Sequence, residues 1–417
     1  MDYYVCSATG NNKNDGSKAS PFKNIQKAID GAADGDTIHV AEGNYFGTLD
    51  KGTISVTRAV TIQGGYAPDF SKRDVLKHLS MVQPTLVSNG TAGGATMVID
   101  VKKPGTAVVI DGLIFDRGNA ISYSPKDGKP EGVESGMMNP IGIKGVGGPA
   151  LDVENALTKQ SAMVSLPNPT CDITIRNCAF INAPNYGIQG TFMGKTMTVT
   201  NCVFINNRMT AAEIAGGLPK EDPEIHFTYN TVLFSWSRLK DLADMGYGFR
   251  FMTKVKAYVS NCIIGLSVFS GLDRTRVDSD KNREAGRVTT AENNVFFLNK
   301  QADLTIPGGG LFMRIQVDQF DDVEQLAKSG GNSALTDPAV FKGIINEAYL
   351  NGFLAASYKE STSVDRDSPA NLFRSAMGMN IQGKMTSSAT MYANRYPWQD
   401  ALKFFGAMKD CGAQKPK

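Results

Sequence analysis

Apolar positions through the middle of the chain fall in short runs that begin beside an asparagine. Asn177-Cys178-Ala179-Phe180-Ile181-Asn182 is echoed by Asn201-Cys202-Val203-Phe204-Ile205-Asn206. Asn230-Thr231-Val232-Leu233-Phe234-Ser235, Asn261-Cys262-Ile263-Ile264-Gly265-Leu266 and Asn293-Asn294-Val295-Phe296-Phe297-Leu298 follow. The leading asparagines are spaced by 24, 29, 31 and 32 residues. A unit that lengthens only between its shared cores behaves as one coil of a β-solenoid, with insertions looped out at the corners. Asparagine suits a left-handed corner, and its amide can bond the asparagine one coil away, at the ~4.8 Å strand spacing. The alignment predicts an interior column of Phe180, Phe204, Leu233, Ile264 and Phe296. It places Cys178, Cys202, Thr231, Cys262 and Asn294 in a second column, read either as an inter-coil disulfide or as stacked thiols.

Earlier coils are less regular. Thr37–Val40, Ala59–Gly65, Thr96–Ile99 and Val108–Phe115 are short β-rich runs closed by Gly, Asn or Asp. A solenoid needs caps. Ser20 fits an N-cap and Pro21 a first helical position, with Phe22, Ile25, Ala28, Ile29 and Ala32 on one face of a capping helix. The coil pattern fails after about Leu335. Ala339–Tyr358 and Trp398–Lys409 read as helical pieces of a tail covering the last coils and the flank. The expected organisation is therefore a solenoid over 1–335, with an irregular insertion at about 122–169, and a C-terminal extension over 336–417.

Composition narrows the function. Forty-three basic residues against 41 acidic give a formal charge of +2, with no basic stripe for nucleic acid. No apolar run reaches the ~18 residues needed to cross a bilayer. The sequence enters a strand pattern at once, with no export signal in front, which leaves either a cytosolic protein or one whose signal has been removed. Six cysteines lack a CxxC pair or a histidine at zinc spacing.

The opening, Tyr3-Tyr4-Val5-Cys6, then Gly10-Asn11-Asn12-Lys13-Asn14-Asp15-Gly16-Ser17, Pro21-Phe22-Lys23-Asn24-Ile25-Gln26-Lys27-Ala28-Ile29, Gly35-Asp36-Thr37-Ile38-His39-Val40 and Gly43-Asn44-Tyr45, resembles a known start. It is that of secreted bacterial right-handed parallel β-helix proteins of the pectate-lyase-like superfamily, which includes polysaccharide lyases, glycoside hydrolases and epimerases. The resemblance implies an all-β right-handed parallel β-helix, secreted, periplasmic or on the bacterial surface, with a polysaccharide or oligosaccharide partner, often an anionic glycan; a monomer is the expected state. It transfers no catalytic residue.

Sites in this architecture lie on the outer face of the parallel sheets, between corner loops. The segment from Trp236 to Arg287 is richest in charge. In Arg250-Phe251-Met252-Thr253-Lys254, strand alternation predicts Phe249 and Phe251 inward and Arg250 and Lys254 outward, two cations on one sheet face that can grip a uronate. β-Elimination needs the substrate carboxylate neutralised and a base. Lys254 or Tyr247 is the candidate base, with Arg250, Arg274 or Arg276 on the carboxylate; Arg238 and Asp273 are further substrate contacts. Hydrolysis instead needs two carboxylates, from Asp241, Asp244, Asp273 and Glu213. Asp116 and Arg117 are candidates for the same groove. Asp278, Asp280 and Glu284 form a candidate Ca²⁺ site, though without the glycine of an EF-hand loop. Trp236, Tyr247 and Tyr123 are candidate sugar platforms or core aromatics. His39, His78 and His226 are read as structural. The plainer alternative throughout is a solvated, ion-paired sheet surface on a non-catalytic glycan-binding protein. The leading expectation is an acidic-polysaccharide lyase, ahead of a hydrolase.

Overall fold

A computed structural model describes residues 1–47, 53–83, 95–116, 122–123, 139–140, 162–183, 186–217, 221–236, 246–275, 289–308, 311–357, 363–383 and 396–417. The chain is a right-handed parallel β-helix. Among the described residues it has three sheets of nine strands, each running the length of the solenoid. The first sheet begins with Asp2–Val5 and ends with Thr289–Glu292; the second runs from Gly43–Phe46 to Ser333–Ala334; the third from Ile54–Val56 to Leu311–Ile315. Pairing is parallel except for the last pair of the third sheet, where Ala302–Gly308 meets Leu311–Ile315 antiparallel and ends the coil stack.

The asparagine corners have a concrete cause. Asn177, Asn201, Asn261 and Asn293 all have φ near +55°, between the first sheet and the short strands of the second. Asparagine tolerates this left-handed region better than most residues. Gly112 fills the same position one coil earlier, at φ +73°. A Cβ there would sit 2.7 Å from the Arg73 guanidinium. Gly112 thereby splits the sequence run Val108–Phe115 into the strands Ala107–Asp111 and Leu113–Asp116.

One coil departs from the sequence alignment. Tyr229, not Asn230, takes the left-handed corner, at φ +54°. Asn230 moves one place inward, accepting from the Cys202 amide at 2.9 Å and donating to the Val199 carbonyl at 2.9 Å. The interior column is therefore Phe180, Phe204, Val232, Ile264 and Phe296, with Val232 in place of the expected Leu233. Thr231 likewise pairs with Val203 and Ile263, leaving the cysteine column to Asn230. Phe115, Phe180 and Phe204 stack at 4.9 and 4.7 Å with nearly parallel rings. All six cysteines are free and buried. Burial pushes the Cys171 and Cys411 thiols up to about 11.

A second left-handed column, Asn182, Asn206, Phe234, Leu266 and Leu298, closes the other end of the short second-sheet strands. On the second sheet's later strands, the outward Ile181, Ile205, Leu233 and Ile263 pack against Leu350, Phe353, Phe373, Phe404 and other residues of the C-terminal segment. That segment contributes helices Glu347–Ser357, Pro369–Met377 and Trp398–Leu402. Its seat is specified by hydrogen bonds as well as area. The Asn206 amide donates to Asn182 at 2.6 Å, the Tyr396 amide donates to Asn182 at 2.7 Å, and the Tyr349 hydroxyl donates to Asn206.

At the N-terminus the capping helix is shorter than its sequence suggested. It spans Ile25–Gly31 with Asn24 as N-cap, and buries Ile25, Ala28 and Ile29. Ser20 and Pro21 lie outside it because Phe22 is drawn into a bridge with Val5, its amide donating to Tyr4 at 2.8 Å.

Candidate functional site

Inward residues of the third sheet are core, including Ile188, Ala212, Phe249 and Leu272. The neighbouring row points outward, and register aligns it across coils as Ser165, Gln189, Glu213, Arg250, Asp273 and Thr305. Three adjacent rungs thus present a carboxylate, a guanidinium and a carboxylate. Arg250 Nη1 lies 3.3 Å from Glu213 Oε2, and Arg250 Nε lies 2.7 Å from Asp273 Oδ2. Tyr247 covers the guanidinium with its ring centroid 4.8 Å away. Thr305 donates to Asp273 Oδ1 at 2.6 Å, and the Thr275 amide donates to the same atom at 3.3 Å.

The row closes from one end to the other. Gln189 is half-buried; the Glu213 and Arg250 side chains are 8% exposed, and Asp273 is 0% exposed. Burial pushes the Glu213 carboxyl above its usual range, against the lowering pull of Arg250. Burial also opposes the Arg250 charge, but Asp273 and Glu213 outweigh it and hold the group above its ordinary value. The row is incompletely satisfied. The Arg250 Nε–Asp273 Oδ2 contact is close enough for an ion pair yet lacks hydrogen-bond alignment, so both buried atoms have no aligned partner. Tyr186, Met209, Tyr247, Phe269 and Phe312 form an apolar cluster alongside.

Several expected site residues lie elsewhere. Lys254 does not share a strand face with Arg250. The strand ends at Phe251, and Lys254 occupies a left-handed turn at φ +61°. Arg274 donates to the carbonyls of Phe251, Met252 and Val255 at 3.3, 2.6 and 2.8 Å, which ties a corner rather than presenting a guanidinium to ligand. Trp236 is no sugar platform: it is buried against Phe353 and donates to the Tyr349 hydroxyl at 2.9 Å. Asp116 belongs to the second sheet, where it accepts from Asn182 at 3.0 Å. The three histidines lie apart: His39 by Asp2, His78 by Glu42, and His226 stacked on Tyr258. Asp241, Asp244, Arg238, Arg276, Asp278, Asp280, Glu284 and Arg117, and the side chain of Tyr123, lie outside the described residues. Among the described residues, no three His, Cys, Asp or Glu converge as a metal site. No helix there is long and apolar enough to cross a membrane.

Of the four carboxylates proposed for hydrolysis, the structure brings Glu213 and Asp273 together on Arg250. Sequence reasoning missed Gln189 and Thr305, whose places become visible only once the rungs are in register.

Coils of this geometry define a right-handed parallel β-helix. Within that class, the family described as a protein of unknown function, DUF1565, matches residues 8–103. No curated protein matches the sequence. Among solved structures, a GH136 lacto-N-biosidase from Eubacterium ramulus is similar at 12% identity and a TM-score of 0.36, over 80% of this chain and 55% of that one. The chain thus spans little more than half of that relative's length. A rhamnogalacturonan lyase is similar at 12% identity and a TM-score of 0.35, over 72% of this chain and 69% of that one. The pectate lyase Pel9A is similar at 14% identity and a TM-score of 0.32, over 93% and 89%.

Proposed function

We propose that the chain is an exported carbohydrate-active enzyme that hydrolyses a glycosidic bond with Glu213 as general acid and Asp273 as general base. The observation that carries this reading is the buried, incompletely satisfied Glu213–Arg250–Asp273 row on the outer face of the third sheet. Two carboxylates in different environments divide the acid and base roles. Burial favours the protonated Glu213, which can donate to the leaving oxygen. Asp273 is fully buried with Oδ1 fixed by Thr305 and Thr275, and takes a proton from the attacking water once substrate parts Oδ2 from Arg250. The C–O bond breaks as the water oxygen bonds to the anomeric carbon. The carboxylates stand two rungs apart, about 9.6 Å between backbones, with a guanidinium between them. A general acid on the leaving oxygen and a general base on the attacking water, with no covalent enzyme intermediate, is the inverting mechanism.

β-Elimination has less support. Arg250 is buried and already held between Glu213 and Asp273, so its guanidinium is little available to a uronate, and Lys254 lies beyond the strand end.

The test is incubation with polygalacturonate, rhamnogalacturonan, arabinogalactan and xylan, reading reducing ends and ultraviolet absorbance of unsaturated products. The expected result is new reducing ends without that absorbance from at least one polymer, with Asp273→Asn lowering kcat by about 10²–10⁴-fold. Unsaturated product would replace hydrolysis by elimination. No product from any polymer would leave a binding role.

A further inference from the structure

Far from the third sheet's outer face, a cleft of about 450 Å³ opens at the corner between the first and second sheets, beside the C-terminal segment. Its lining includes Arg73, Arg176, Tyr229, Asn201, Lys415 and Lys417 around one acid, Asp111. We propose that this cleft is a second, non-catalytic binding site for an anionic sugar, carrying a carboxylate or sulfate ester.

Charge supports the proposal first. Asp111 is 2% exposed and is shared by Arg73 Nη2 at 2.7 Å, Arg176 Nε at 3.0 Å and Asn177 Nδ2 at 2.8 Å. One buried carboxylate therefore anchors two guanidinium groups and neutralises only one of them. Arg176 contacts Asp111 through Nε, and its side chain lines the cleft while staying 45% exposed. Lys415 and Lys417 are exposed and, among the described residues, make no ion pair. Four cationic side chains against one acidic side chain, on a chain of net charge +2, concentrate positive charge at this corner. Guanidinium groups with free edges match carboxylate or sulfate oxygens.

The remaining lining is what a sugar ring needs. Tyr229 is 38% exposed and holds the left-handed corner position that asparagine holds in neighbouring coils. Its ring faces solvent where a carbohydrate can stack. Below it, the Asn201 amide donates to Asn177 at 2.8 Å, and the Gln414 amide donates to Asn201 at 2.5 Å. Each of these asparagine amides retains a second N–H for a hydroxyl. The C-terminal segment therefore completes a cleft that the coils alone would leave open. The inference stands whether or not Glu213 and Asp273 are catalytic.

The test measures binding by affinity electrophoresis and calorimetry, in the Asp273→Asn background so that polymer is not consumed. Probes are oligogalacturonate, dextran sulfate, neutral galactan and a DNA duplex. The expected result is binding of an acidic or sulfated glycan but not of galactan. The Arg176→Gln/Lys415→Gln double variant should weaken it at least tenfold, and Tyr229→Ala at least threefold. Whether oligogalacturonate or dextran sulfate binds more tightly identifies the anion. Both cations are exposed, and circular dichroism checks that the variants remain folded. Absence of binding to either anionic glycan, or unchanged affinity in the double variant, overturns the proposal. Equal retention of DNA, indifferent to Tyr229→Ala, would show simple ion exchange and overturn it as well.

Discussion

The outer faces of the second and third sheets have opposite fates, although the same coils build both. On the second sheet, Ile181, Ile205, Leu233 and Ile263 point outward and disappear beneath the C-terminal helices. On the third, the outward row is Gln189, Glu213, Arg250, Asp273 and Thr305, and it holds charge in a nearly dry setting. Inward faces are interchangeable from rung to rung, because each needs only apolar volume that stacks. The outward rows differ in kind: one is an apolar packing surface seated by hydrogen bonds to the C-terminal segment, the other a buried row of alternating charge. Chemistry belongs where burial and charge coincide.

The comparison is broken most severely by removing the central cation. Arg250→Met leaves two buried carboxylates facing each other and should cost about 3–5 kcal/mol of stability, read from chemical denaturation midpoints. A loss under about 1 kcal/mol would show that the row is solvated. On the packed face, Tyr349→Phe removes the hydroxyl that accepts from Trp236 and donates to Asn206. Stranding those groups should cost about 1–3 kcal/mol by the same measurement. It should leave catalysis unchanged, because no residue of the charged row is touched.

A smaller, pH-dependent effect separates the faces further. Folding raises the Glu213 pKa above 4.5, mainly through burial. The folded state then binds the proton more tightly than the unfolded chain. The resulting penalty is absent below pH 4.5 and grows as pH rises through the folded value. Denaturation of Glu213→Gln against the parent across this window should show the variant gaining relative stability as pH rises. A flat difference would remove burial as the cause of the shift.

Much of the fold was legible because its corners demand a particular backbone. Asn177, Asn201, Asn261 and Asn293 announce left-handed corners, and their spacing gives the coil. The same signal misled at Asn230, where a tyrosine adopts the corner and the register slips by one residue. Strand alternation placed Arg250 outward but extended too far, to Lys254, because nothing local marks the strand's end at Phe251. The partners of Arg250 were harder to read. Which carboxylate lies beside it depends on how much chain each corner absorbs, a property of the whole stack rather than of any segment. The choice between sugar platform and core aromatic stayed open at Trp236 for a related reason, since the face covered by the tail is set by packing between segments over a hundred residues apart.

The pairing of Glu213 and Asp273 is tested most directly by the stereochemistry of the first product. Proton NMR of a cleaved polymer, recorded before the sugars mutarotate, should show the anomeric configuration inverted relative to the substrate linkage. Retained configuration, or a 4,5-unsaturated sugar in its place, would contradict two carboxylates acting across Arg250.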